Sequence, residues 1–294
     1  MKRNLVLYSI RRKVQLLGHK FMSPEFMSEL YFRIVLGYNL NLKNPRSFNE
    51  KLQWLKLYYW PNDKNAVKCA DKYAVREYIR DIGREDLLNE IIFSWEDAKE
   101  IKWEKLPNQF VLKCNHGCGY NIICKDKSKM NEKEVVKKLD KWMHEDFSAY
   151  NEEPHYGKIH RKIICEKFLD GEVINYNIYV FNGKVKFLSV AGGLGEGKDE
   201  YLTYYNPDGT IASFRNKSYP PHADKLSSLL PKMIKTAEYL AKDFPMCRVD
   251  LFDYKGRIIL SELTFTPGGG LIPFDPIEAD MMLGEQLDIS NLVS

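Results

Sequence analysis

With 294 residues, 44% of them hydrophobic, the chain can bury a real core as one large domain or about two to three small ones, which excludes a disordered polypeptide. Its 44 basic residues stand against 40 acidic ones, a net charge of +4, so no polyanionic partner is implied and nucleic acid is not expected. No apolar run reaches the roughly 18 residues that cross a bilayer. Cys69, Cys114, Cys118, Cys124, Cys165 and Cys247 are scattered through a chain too long to need staples, with no secretory signal before them, which reads as a reduced, cytoplasmic protein.

The chain opens on MKRNLVLYSIRRKVQLLGHKF, where Lys2, Arg3, Arg11, Arg12, Lys13 and Lys20 are interspersed with Leu5, Leu7, Ile10, Val14, Leu16 and Leu17. This basic amphipathic pattern reads as a surface helix, or as one that touches the inner face of a membrane. Residues 1 to about 60 read as helical, and Ser47-Phe48-Asn49-Glu50 is a start signal in which the serine caps and the glutamate reaches back. Pro61-Asn62-Asp63 interrupts the pattern, and a second helix is expected from Lys64 to Ile82, stopped by Gly83. Lys72 and Arg76, four apart on that helix, would share a face.

From Phe110 the period changes to that of strands: Phe110–Cys114, then Asn121–Lys125, a helix over Asn131–Phe147 and a strand at Lys162–Glu166. Strands follow near 175–181 and 184–191, then a loop rich in Gly, Tyr and Asn and a helix over Ala223–Phe244. Helices and strands are interleaved without internal repeats, an α/β or α+β order.

Lys113 ends an apolar strand and precedes Asn115-His116-Gly117-Cys118-Gly119-Tyr120-Asn121, a turn whose backbone N–H groups and glycines suit a phosphate, or simply a tight hairpin. Cys114, His116, Cys118 and Cys124 lack the paired spacing of a structural zinc site. Glu166-Lys167-Phe168-Leu169 leaves a strand, where backbone could meet a flat heterocycle and Glu166 an exocyclic amine; an exposed strand end explains the same residues.

The last hairpin runs Arg248-Val249-Asp250-Leu251-Phe252, a turn, then Arg257 to Glu262, and continues into Leu263-Thr264-Phe265-Thr266-Pro267-Gly268-Gly269-Gly270. If a five-residue turn pairs Phe252 with Ile258, then Arg248, Asp250, Glu262 and Thr264 share one face and Val249, Leu251 and Ile259 pack on the other. Hard cations such as Mg2+ take one or two carboxylates plus nucleotide phosphates. Three successive glycines suggest backbone approaching a ligand, or a mobile loop.

Taken together, these elements resemble the ATP-grasp fold in their order. SFNEKLQWLKLY, DKYAVREYI, FVLKCNHGCGYNII and ELTFTPGGGL further resemble the TupA-like ATP-grasp proteins of teichuronopeptide and surface-polysaccharide biosynthesis, over about residues 45–285. The resemblance implies an α+β ATP-grasp fold with an added helical region: residues 1–60 helical, 61–109 a preceding segment, 110–166 the small subdomain with the phosphate loop, and 167–294 the C-terminal subdomain with the metal site. It implies ATP and Mg2+ as cofactors. Lys113 and Arg76 would meet phosphate oxygens under the loop of His116, Gly117, Cys118 and Gly119. Glu166 would bind the adenine amine, Lys167, Phe168 and Leu169 would line the hinge, and Glu172 or Asn175 would face the ribose. Asp250, Glu262 and Thr264 would hold the metal, and Arg248 would act on the phosphoryl group in flight.

Thr264 stands where many ATP-grasp enzymes carry Asn, and Cys118 where relatives carry Ser. The implied reaction is ATP-dependent amide formation through an acylphosphate, with a uronic-acid carboxylate of a surface glycan or its precursor and an amino acid or amine as substrates. Gly268–Leu271 and the aromatic loop of Tyr201, Tyr204 and Tyr205 would lie near the acceptor. The rivals are a glycosyltransferase, though no two aspartates stand two apart, a glycan kinase, and a catalytically inert binding module.

Overall fold

The computed structural model describes residues 5–171, 173–193 and 200–293. In chain order the elements are α1 (Leu5–Phe21), α2 (Pro24–Leu36), α3 (Phe48–Trp54), α4 (Lys64–Ala70), α5 (Val75–Asp81), β1 (Ile91–Trp95), β2 (Phe110–Cys114), β3 (Asn121–Cys124), α6 (Glu132–His144), β4 (Ile163–Lys167), β5 (Ile174–Phe181), β6 (Lys184–Gly192), β7 (Tyr201–Tyr205), β8 (Arg215–Asn216), α7 (Leu230–Leu240), β9 (Met246–Tyr254), β10 (Arg257–Thr264), β11 (Phe274–Asp275) and α8 (Glu278–Glu285). Three antiparallel sheets result: β1-β4-β2-β3, β10-β9-β5-β6-β7 and the short β11-β8. The fold is therefore α+β. One continuous buried cluster, with Leu112 and Cys165 from the first sheet and Ile178, Val249 and Leu263 from the second, joins them.

Three elements differ from the periodic reading. Residues 91–95, too short a run to declare themselves, add β1 to the edge of the first sheet against β4. The expected helix over 64–82 breaks in two at Asp71, whose carboxylate accepts from the Tyr73 N–H at 2.7 Å and competes with the helical ladder. The expected helix over 223–244 shrinks to α7: Pro231 sits in its first turn, and the residues before it are non-helical, with Ser227 N donating to the Tyr176 hydroxyl at 2.8 Å.

The start signal at Ser47 behaves as its chemistry dictates. Ser47 Oγ accepts from Glu50 N at 3.2 Å, and the Glu50 carboxylate accepts from the backbone of Ser47, Arg46 and Asn41. So anchored, α3 becomes a ruler for the C-terminal segment. Asn49 takes Ile272 by both backbone groups, Nδ2 donating to the carbonyl at 2.9 Å and Oδ1 accepting from the N–H at 2.8 Å. Gln53 Nε2 donates to the carbonyls of Gly269 and Gly270 at 3.0 and 2.8 Å, fixing the glycine turn.

Close to the cap, Gly284 of α8 lies so tight on α3 that a Cβ there would come within 2.1 Å of Arg46 O and 2.7 Å of Phe48 N. Backbone cannot yield as a side chain can, so Gly284→Ala is expected to cost about 1–3 kcal/mol. Urea unfolding should show a lower midpoint with unchanged slope, and a wild-type midpoint would contradict this packing.

Candidate functional site

The β9–β10 hairpin turns tightly. Lys255 and Gly256, with φ of +50° and +78°, form a two-residue turn that pairs Tyr254 with Arg257 and Phe252 with Ile259, in place of the expected five-residue turn. Continued unbroken, that register would set Asp250 opposite Ser261 and turn Glu262 away. It does not continue: the pairing slips by one residue between Leu260 and Glu262, so Asp250 opposes Glu262 and Arg248 opposes Thr264. A β-bulge thus delivers the shared face that the sequence led us to expect from a longer turn.

On that face the four side chains touch. Arg248 grips Asp250 with two parallel bonds, Nε to Oδ1 at 2.7 Å and Nη2 to Oδ2 at 2.5 Å, and reaches Glu262 Oε1 at 3.5 Å and Thr264 Oγ1 at 3.2 Å. The Thr264 hydroxyl donates to Glu262 Oε1 at 3.4 Å. Asp250 is only 2% exposed. Burial, with help from Glu262, pushes its carboxyl up to about 7 against the pull of Arg248. Glu262 is pulled the other way: burial alone would raise it, but Lys72 and then Arg248 outweigh burial and hold it at about 2.

Lys72 is the residue that sequence reasoning placed on a helix face and assigned no role. Because the chain breaks at Asp71, Lys72 leaves the helix, and its Nζ lies 2.9 Å from Glu262 Oε2 and 2.8 Å from the Gly117 carbonyl. Its ammonium is raised above the ordinary lysine value: burial would lower it, but Glu262 overrides burial. The signal that could have found it was Asp71, a residue that bonds backbone two positions on and ends helices.

One lysine therefore joins the hairpin to the turn after β2. That turn is pinned on one side and open on the other. Buried Asn115 bonds Asp71, the His160 carbonyl and the Lys162 N–H. His116 is 1% exposed, and its Nε2 donates to the Trp142 carbonyl at 3.1 Å; burial lowers it to about 4, so the ring is neutral and faces the core. A Cβ on Gly117 would collide with Phe147 and Tyr120 at 2.8 Å. Cys118 and Gly119 are exposed at the tip, and Gly119 has φ of +75°. The Cys118 thiol is raised first by the protein atoms crowded around it and second by the Glu262 carboxylate.

A second cluster lies on the first sheet. Lys113 Nζ meets Glu166 Oε2 at 2.7 Å, across neighbouring strands β2 and β4. Arg76 feels the same carboxylate, while burial lowers its own proton affinity. The step from Lys72 to Arg76, through the broken helix, links the two clusters. Lys167 N donates to the Glu90 carbonyl at 2.9 Å and its own carbonyl accepts from Asn89; Phe168 and Leu169 are half-buried. Glu172 lies outside the described residues. Asn175 Nδ2 donates to Asn177 Oδ1 at 2.9 Å, and its buried Oδ1 meets no protein partner among the described residues. Asn177 in turn stands opposite Asp250.

The glycine turn has Gly268, Gly269 and Gly270 all left-handed, with φ of +61°, +68° and +71°. Tyr201, Tyr204 and Tyr205 form the edge strand β7, not a loop, and Tyr204 is buried against Phe187 and Phe214. The hollow lined by Phe93, Trp95, Glu100, Lys102 and Lys105 shares no residue with either cluster.

Among the described residues no group of three or more His, Cys, Asp or Glu is arranged to hold a metal, which leaves Asp250 and Glu262 as a two-carboxylate, all-oxygen pair. Such a donor set fits a hard cation that takes its remaining ligands from phosphates.

The family model of TupA-like ATP-grasp proteins matches residues 50–288. No curated protein matches the chain. Among solved structures, D-alanine–D-alanine ligase from Bacillus anthracis is 16% identical, with a TM-score of 0.42, over 70% of this chain and 59% of that one. The D-alanine–D-alanine ligase of Helicobacter pylori is 18% identical, TM-score 0.44, over 83% of this chain and 70% of that one. The L-amino acid ligase of Bacillus licheniformis is 16% identical, TM-score 0.44, over 70% of this chain and 45% of that one. The chain thus spans 59% of the length of the first of these and less than half of the third. With most of its length matched, including the turn after β2 and the β9–β10 hairpin, the chain belongs to the TupA-like ATP-grasp family.

Proposed function

We propose that the protein is an ATP-dependent carboxylate–amine ligase that binds ATP with Mg2+ between the two clusters. The observation that carries this reading is the Asp250–Glu262 pair, neutralised by Arg248 and Lys72 and lying beside the exposed tip of the turn after β2. The ATP-grasp family model that matches residues 50–288 fits a nucleotide in this place.

In this reading Asp250 and Glu262 hold Mg2+, with the Thr264 hydroxyl a third candidate, and the ion would neutralise charge on the phosphates. Arg248 stabilises the phosphoryl group in transfer. Lys72, Lys113 and Arg76 bind phosphate oxygens, and the free backbone of Cys118 and Gly119 closes over them, while His116 and Gly117 hold the turn in place. Glu166 exchanges its bond to Lys113 for the adenine amine, the backbone of Lys167 to Leu169 lines the ring, and Asn175 or Glu172 meets the ribose. The unpartnered Asn175 Oδ1 is suited to a hydroxyl donor. Residues 110–166 then act as the small clamping unit and 167–294 as the metal-bearing one, preceded by 1–60 and 61–109.

The chemistry runs in two steps. A substrate carboxylate oxygen attacks the γ-phosphorus and ADP leaves, giving an acylphosphate. An amine nitrogen then attacks the acyl carbon, loses its proton, and inorganic phosphate departs. No side-chain nucleophile is needed, because positioning and charge neutralisation lower the barrier. The carboxylate would belong to a uronic-acid-containing surface glycan or its precursor and the amine to an amino acid or amino sugar. The enzyme would then work in the cytoplasm, at the inner face of the membrane.

The test supplies ATP, Mg2+, a hexuronic-acid glycan and mixed amino acids, then follows ADP, phosphate and product mass. ADP and phosphate release with an amide mass gain is the expected result. A glycan that gains one phosphate would make the protein a kinase, and ATP that neither binds nor turns over would sink the reading.

Two variants probe its parts. Glu262→Ala should abolish turnover while leaving the fold intact by circular dichroism, and retained activity would remove the metal assignment. Lys113→Ala should chiefly weaken ATP binding, by about tenfold or more for a lost charge-assisted bond; an unchanged affinity in calorimetry would count against its phosphate role.

A further inference from the structure

Helix α1 sits on the body by its polar side. Arg12 donates to Glu145 at 2.8 Å and lies 3.9 Å from the centre of the Tyr150 ring; Gln15 donates to Asn151 Oδ1 at 3.2 Å; and His19 Nδ1 lies 2.7 Å from Glu152. Spaced three and four apart, these residues form one stripe, with Gln15 only 4% exposed. The apolar residues are consequently left outside. Val14, Leu17 and Phe21 are 59%, 62% and 68% exposed, and on α2 Phe26, Leu30 and Ile34 are 50%, 41% and 71% exposed. Gly18 lets the two helices close on each other, since a Cβ there would lie 2.3 Å from Met27 Cε. Soluble monomers rarely leave such rows of large apolar side chains in water.

We propose that the α1–α2 hairpin is an interfacial docking surface for an anionic lipid bilayer, with these six side chains at the boundary between headgroups and acyl chains. Charge selects this occupant. From residue 5 to 36 the hairpin carries Arg11, Arg12, Lys13, Lys20 and Arg33 against Glu25 and Glu29, and α1 itself has no acidic residue. Arg11, Lys13 and Lys20 are exposed beside the apolar stripe, where they would meet lipid phosphates. A second copy would bring two basic helices face to face, which like charges oppose. No described helix is long and apolar enough to span a membrane, so the hairpin lies on the bilayer and does not cross it. None of the residues assigned to the nucleotide site belongs to it, so this surface stands or falls separately.

Flotation of the full chain with vesicles tests it. Binding is expected to phosphatidylcholine vesicles containing phosphatidylglycerol, to fall in high salt, and to be much weaker on phosphatidylcholine alone. Leu17→Ser, Phe21→Ser and Ile34→Ser combined should weaken it at least about tenfold. Lys13→Glu with Lys20→Glu should weaken it on anionic vesicles at an unchanged melting temperature, which separates lost docking from lost folding. Wild-type protein that stays with the soluble fraction, or variants that float like wild type, would overturn the proposal. So would a dimer that the triple variant dissociates in the absence of any vesicle binding.

Discussion

The pairing of Asp250 with Glu262 across β9 and β10 is the constraint on which the site depends. Two carboxylates on a largely buried sheet face repel each other and lose hydration, and they persist only with cations beside them. Arg248 comes from the same strand as Asp250, two residues away, and is therefore built in. Lys72 comes from far off in sequence and is available only because α4 and α5 do not fuse. Removing one cation would leave a buried charge uncompensated, a loss of about 3–5 kcal/mol when such pairs are broken.

This charge balance also explains why the hairpin and the turn after β2 are so closely coupled. Lys72 donates to Glu262 and to the Gly117 carbonyl at once, so the hairpin face and the turn after β2 share one ammonium. The Lys113–Glu166 pair repeats the arrangement four residues along, where Arg76 approaches. In both clusters each basic group already has an anion within reach. A polyphosphate entering between them would replace those anions for Lys72, Lys113 and Arg76, and a divalent cation would replace the ammonium at Glu262.

Much of this was legible in the sequence, and the exceptions have physical causes. The Ser47 capping box, strands β2 and β4 and the alternation that puts Arg248 with Asp250 on one face of β9 and Glu262 with Thr264 on one face of β10 follow from local spacing, which is a property of the chain itself. How the two join into one face was not legible. The tight Lys255-Gly256 turn could have been recognised from its glycine, but the compensating bulge at Ser261 is settled by pairing with β9 and by burial of Leu260 and Leu263, which are tertiary facts. His116 looked like a loop residue and is a core residue, because the aromatic shelf of Tyr120 and Trp142 that encloses it is assembled from β3's approach and α6. Tyr204 was misread for the same reason: an apolar neighbourhood from other strands decides whether a tyrosine in a Gly-rich stretch is surface or core.

What remains is why so costly a turn follows the carboxylates. Three consecutive left-handed glycines cannot stabilise themselves, and here they are held by groups that are themselves expensive to bury. Lys56 is fully buried, donates to the Asn151 carbonyl at 2.7 Å, and is lowered to about 8 chiefly by burial, offset in part by Glu153 and Glu152. The Thr266 hydroxyl bonds Glu153, and Gln53 takes two of the turn's carbonyls. Side chains would be excluded from this place even without the backbone requirement, since a Cβ on Gly270 would come within 2.8 Å of Gln53. Ordering glycine costs backbone entropy and burying charge costs hydration, and both are tolerated here because hydrogen bonds from the surrounding structure meet the groups involved. The result is a glycine turn, immediately after Thr264, held in place by side chains of α3 and the segment that follows it.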